Sequence, residues 1–193
     1  MPSLKPSSPR WRLAFLTIFV AQLSAALSAC GGGGGGADAA GTAPASQVKT
    51  VACRVGDLSA ATAPAVNLLR TSAQSCGGVQ YPAVPTVAWD ARLAQAAERH
   101  GTDMAINRFF DHTGSDGSSV GTRVTASGYA WTVVAENLAS GQSSLNAALA
   151  AWLASTGHCQ NLMKANVTDV GLACVKREGD GQPYLWTLVL ARP

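Results

Sequence analysis

Three titratable side chains, His112, Glu136 and His158, each stand where a run of apolar residues gives way to loop chemistry. Two imidazoles and a carboxylate form a donor set suited to a divalent metal such as zinc. A histidine beside a glutamate also suits proton transfer, which makes Glu136 a candidate general base. The intervals between them are too long for spacing alone to demonstrate that they meet. Other chemistries find less support. There is no G-x-S-x-G nucleophile elbow, and Cys159 beside His158 belongs to an even set of cysteines that leaves no spare thiol.

The elements that must carry these residues are read from pattern. Pro64 marks a helix start, with Val66 and Leu69 inward and a stop at Cys76-Gly77-Gly78. Asp90 is a suitable N-cap for a second helix in which Leu93, Ala97, His100 and Met104 share one face, so His100 reads as a hydrogen-bonded core histidine. Residues 121–128 form a short helix closed by Gly128. The β-branched Thr132, Val133 and Val134 predict a short extended segment delivering Glu136 and Asn137 at its end. Ser143 or Ser144 caps a helix through Leu145, Leu149, Trp152 and Leu153 that Gly157 terminates just before His158. Two apolar runs then flank E-G-D-G-Q-P as a hairpin. Asn137 and Asn161 are expected to bond backbone, and Trp152 and Trp186 to pack in the core. Helices followed by a terminal hairpin predict an α+β fold, with helices on a small, mainly antiparallel sheet.

The chain has 193 residues, with 14 Lys and Arg against 11 Asp and Glu. Lys5, Arg10 and Arg12 account for the whole excess, leaving the remainder neutral and its basic residues scattered. A nucleic-acid partner is therefore excluded, since it requires a basic stripe on the folded part. The basic start, the apolar run Leu13 to Ala26 and L-S-A-C ending at Cys30 have the outline of a signal peptide with a lipobox. Residues 1–29 are thus expected to be removed and Cys30 acylated, anchoring the protein to a membrane. Gly31 to Gly36 opens a small-residue tether. At roughly 25 residues it reaches on the order of 25 to 30 Å. This gives a lipidated cysteine and tether over 30–58 and a folded domain over 59–193. Gly31 after the cysteine fits outer-membrane sorting in a bacterial cell envelope.

Cys53, Cys76, Cys159 and Cys174 read as two disulfides in an exported chain. Three connectivities are open. Pairing chain neighbours, Cys53 with Cys76 and Cys159 with Cys174, is the expectation, each closing a loop worth roughly 3 kcal/mol.

Taken in order, F-F-D-H-x-x-x-D-G, R-V-x-x-x-G-Y, A-E-N-L-A-S-G, W-L-x-S-x-G-H-x-x-N-L-M, V-G-L-A and Y-L-W-T closely resemble the CAP superfamily, also called the SCP domain, in its bacterial branch. The resemblance covers about residues 62 to 193. It implies an α-β-α sandwich whose central cleft carries two histidines and acidic residues that in some members hold a divalent cation. His112, Glu136 and His158 match those positions. Ala135 stands where relatives usually have glycine. The second glutamate of eukaryotic members, about three positions after Trp152, is absent, which predicts weak metal affinity. A Cys159–Cys174 bridge, a pattern seen in some relatives, would staple the His158 loop to the penultimate strand. The function implied is a non-catalytic envelope module binding a small apolar or lipid-like ligand or a protein partner. The alternatives are a metal-dependent hydrolase using His112, Glu136 and His158, and a purely structural envelope module.

Overall fold

The computed structural model describes residues 51–53, 56–177 and 184–193. The expected signal segment, Cys30, the glycine-rich stretch and the turn E-G-D-G-Q-P lie outside the described residues. The elements in chain order are β1 (Val51–Ala52), α1 (Leu58–Arg70), β2 (Gln74–Cys76), β3 (Val79–Tyr81), β4 (Ala88–Trp89), α2 (Ala91–Asn107), α3 (Val120–Ala126), β5 (Val133–Ser140), α4 (Leu145–Ala154), α5 (Thr156–Leu162), β6 (Asp169–Lys176) and β7 (Tyr184–Arg192).

The main sheet runs β1-β6-β7-β5, antiparallel throughout, with β4 joined parallel to the start of β6. The fold is the expected α+β class. Helices cover both faces, which is why β7 reads as a nearly unbroken apolar run rather than alternating. Val189 and Ala191 pack with Leu93, Ala97 and Val124 of α2 and α3. Trp186, Leu188 and Leu190 pack on the other face with Val66, Leu149 and Trp152 of α1 and α4. Gly171 of the V-G-L-A segment lets α2 rest on β6, because a Cβ there would collide with the main chain of Leu93 and Ala94.

Local signals are obeyed where a cap supplies them. Asp90 accepts the Arg92 N–H and starts α2, whose buried face includes Leu93, Ala97, His100 and Met104. Three of the helical boundaries differ from the expectation. Helix α1 begins at Leu58, not at Pro64, because the Asp57 carboxylate accepts the amides of Ser59 and Ala60, and Pro64 is accommodated inside the helix on an exposed position. What was expected to be its end is a small hairpin, β2 and β3, turned by Gly77 and Gly78 at φ +62° and +86°, the paired positive angles of a two-residue hairpin loop. Finally, α4 stops at Ala154 because Ser155 is extended (φ −98°, ψ 123°), and a new helix, α5, then contains Gly157 and His158.

The disulfides are Cys53–Cys174 and Cys76–Cys159, spanning 121 and 83 residues, in place of the expected neighbour pairing. Register explains it. Strand β1 pairs with the end of β6, and the Cys53 N–H donates to the Cys174 carbonyl, so the sheet itself lays those two cysteines side by side. The β2–β3 hairpin meets α5, where Cys76, Cys159 and Met163 form their own buried cluster.

Candidate functional site

Strand β5 is an edge of the sheet and carries the site. It runs for eight residues, so Glu136 and Asn137 lie in its middle and not at its end. Successive side chains on a strand point to opposite faces, and the two residues are divided accordingly. Glu136 faces α2 and α3; Asn137 faces α5.

On the first face, His112 Nδ1 donates to Glu136 Oε1 at 2.8 Å. Arg123 Nη2 donates to Glu136 Oε2 at 2.8 Å and to the His112 carbonyl at 3.0 Å. Arg123 Nη1 donates to the Ser118 carbonyl at 2.8 Å, so one guanidinium ties Glu136 to both ends of the 112–118 loop. His100 lies beneath, wholly buried, with Nε2 on the Asp111 carbonyl at 2.8 Å and 3.9 Å from Glu136 Oε1. The core role expected for His100 holds, and its place against the carboxylate is an addition. Because a carbonyl only accepts, His100 Nε2 carries the proton, and the buried Nδ1 has no hydrogen-bond partner among the described residues.

On the other face, Asn137 Nδ2 donates to the His158 carbonyl at 3.0 Å. Asn161 Nδ2 donates to Asn137 Oδ1 at 2.9 Å and to the Glu136 carbonyl at 3.2 Å. The Trp152 indole donates to the Leu138 carbonyl at 2.9 Å. The asparagines and the tryptophan thus take the structural roles expected of them: Asn137 ties the strand to α5, while Asn161 and Trp152 cover carbonyls of an edge strand that would otherwise invite pairing with another chain. Spacing in the W-L-x-S-x-G-H-x-x-N segment is what lets Trp152 and Asn161 do so from two short helices.

Of the three predicted site residues, His112 and Glu136 touch, whereas His158 is held through its main-chain carbonyl by Asn137 with its imidazole near enough to feel the charge of His112. The Glu136 hydrogen bond pushes the His112 pKa above its ordinary value, opposed by burial. Burial pulls His158 down, and the charge of His112 adds to that. Burial likewise pulls His100 down against the attraction of Glu136. Among the described residues, no group of three His, Cys, Asp or Glu side chains is placed to hold a metal ion. Glu136 has both oxygens engaged and a guanidinium at its side, so it does not fit as a direct ligand. With Nδ1 engaged, His112 keeps Nε2 for the cleft. A carboxylate behind a histidine in this way is the arrangement that fixes a metal-binding imidazole from outside its coordination shell. The residue that spacing did not single out is Arg123. Its sequence signal is slight, a lone cation in the otherwise uncharged segment V-G-T-R-V-T-A.

Residues 64–190 match the family model of the cysteine-rich secretory protein family, CAP. The chain belongs to the CAP family. Over 87 residues this CAP chain is 29% identical to YkwD, an uncharacterized protein of Bacillus subtilis, covering 45% of the chain and 34% of YkwD. Among solved structures it resembles an extracellular protein of Bacillus anthracis that contains an SCP domain, at TM-score 0.50 and 30% identity, covering 57% of this chain and 35% of that one. It also resembles an outer surface protein of Borrelia burgdorferi, at TM-score 0.51 and 22% identity, covering 56% and 79%. The CAP chain therefore spans about a third of the length of both Bacillus relatives.

Proposed function

We propose that this protein is a CAP domain tethered to the bacterial cell envelope through a lipid on Cys30, acting as a non-catalytic binding module whose cleft offers the imidazoles of His112 and His158 to a divalent cation, zinc above all. The observation that carries this reading is the complete engagement of the Glu136 carboxylate by His112 and Arg123. A metal-dependent hydrolase using Glu136 as base needs its carboxylate to reach a bound water, and here it is 2% exposed with each oxygen already bonded to His112 or Arg123. Glu136 instead orients His112 and leaves its Nε2 outward. Extracellular and outer-surface relatives support a location outside the cytoplasm, and two disulfides suit an oxidising compartment. The ligand class is a small apolar or lipid-like molecule or a protein partner, and the outer membrane is the proposed site of anchoring.

Hydrolase and binding module separate on Glu136→Gln. The amide keeps an acceptor for His112 and removes the charge a base needs, so a binding module keeps its ligand in this variant, while a hydrolase loses turnover. A purely structural module shows neither ligand binding nor cation binding in the full chain.

A further inference from the structure

A groove of about 410 Å³ opens beside His158, between the end of β5 and helix α4. Its size falls within the roughly 300–1,000 Å³ of small-molecule sites. Phe110 and Ala151 are its more open apolar lining, Leu138, Ala139 and Trp152 form its buried floor, Gln142 and His158 line it further, and no Asp, Glu, Lys or Arg is among the lining residues. Two features suggest that something is meant to sit there. The first is Phe110. Arg108 closes α2 in the left-handed region at φ 55°, the sole non-glycine residue to do so among those described. That conformation is uncommon for a side-chain-bearing residue. It turns the chain so that Phe109 packs inward, edge-on to His100, while Phe110 is left 49% exposed at the groove. The second is Gln142. Its main-chain carbonyl is fixed by the Trp186 indole at 2.8 Å. Its side-chain oxygen is buried with no hydrogen-bond partner among the described residues. A buried acceptor left unpaired is a standing penalty that a donor relieves.

We propose that this groove binds a small uncharged molecule with an apolar body and one O–H or N–H group, the body lying along Phe110 and Trp152 and the donor going to Gln142 Oε1. With no cation on His158, the lining carries no fixed charge to offset the desolvation of a carboxylate or phosphate head, so an uncharged ligand is favoured. Gln142 is only partly buried as a residue, so rotation of its terminal amide presents the oxygen, a rotamer change of the kind binding commonly brings. The proposal rests on the binding-module reading and names the ligand class for it.

The test uses the full chain, isotope-labelled, titrated with para-cresol and separately with its methyl ether, which has the same ring and no donor. Chemical shifts of the Gln142 side-chain amide and the Trp152 indole report occupancy. Wild type is expected to bind cresol about tenfold more tightly than the ether. Gln142→Leu should lose that preference and keep the ether affinity, Gln142→Glu should retain the preference because its oxygens still accept, and Phe110→Ala should weaken both probes alike. Equal affinities in wild type, or a preference that survives Gln142→Leu, overturns the assignment of the donor to Gln142. Failure of either probe to shift groove resonances overturns the groove as a site. Cation binding at the imidazoles, measured separately by zinc titration, reports on the binding-module reading itself, so the two failures are distinguishable.

Discussion

Arg123 Nη2 lies 2.8 Å from Glu136 Oε2, and the two side chains are only 3% and 2% exposed. A buried pair of this kind gains little over apolar residues of the same volume, yet removing one partner strands the other charge. Arg123→Met is therefore expected to cost about 3–5 kcal/mol. The double variant Arg123→Met, Glu136→Gln should recover a large part of that loss in urea unfolding. Additive costs in the double variant would mean that the two side chains do not depend on each other.

Acid should destabilise the fold through its histidines. Burial depresses the His100 pKa, so the folded state holds this ring neutral while the unfolded chain protonates near pH 6.5. Stability from His100 is fully present above about pH 6.5 and is lost as pH falls below it. His158 acts in the same direction. His112 acts oppositely, since its raised pKa gives stability that is present below about pH 6.5 and disappears as pH rises through the folded value. His112→Gln should thus steepen the acid loss measured by urea unfolding between about pH 7 and 5, whereas His100→Gln should flatten it. A His112→Gln variant with a shallower acid slope would contradict the assignment.

The two cross-links close long loops, 121 and 83 residues. On the chain-entropy model each is worth about 4.5–5 kcal/mol, more than the short loops of a neighbour pairing would give. Peptide mapping under non-reducing conditions should recover Cys53 with Cys174 and Cys76 with Cys159. Replacing Cys76 and Cys159 together by Ala should lower the denaturant midpoint strongly and loosen α5, which carries His158. Recovery of Cys53 joined to Cys76 would contradict the sheet register.

How much of this was legible in the sequence depends on whether the cause was local. The Asp90 cap and the buried stripe from Leu93 to Met104 are local, and they read correctly. Motif order led to the pairing of His112 with Glu136, although neither period nor spacing reveals a contact across 24 residues. The cysteine pairing is not legible in the sequence, because chain proximity is a poor guide where β1 pairs with the end of β6. Gly157 reads as a helix end from sequence, yet a glycine is as compatible with the first turn of α5 as with the close of α4, and the break is made by the extended Ser155. Arg123 carried no periodic signal, because its role comes from a carboxylate on another element.

Cys30→Ser tests the envelope anchor independently of the fold. The variant should remain unlipidated, and its precursor should persist when membrane fractions are analysed by mass spectrometry. An acylated, membrane-bound product in this variant would contradict the lipobox.

The central claim is that His112 and His158 bind while Glu136 orients, and calorimetric zinc titration of the full chain tests it most directly. The account predicts weak binding in wild type, loss in His112→Ala and in His158→Ala, and weakened but persistent binding in Glu136→Gln, with far-UV spectra showing all variants folded. Affinity should fall as pH falls, beginning above about pH 6.5, because the Glu136 hydrogen bond makes His112 hold its proton more tightly and metal ligation requires a neutral imidazole. Binding that is flat between about pH 5 and 8, that survives both histidine substitutions, or that is missing from wild type would contradict it.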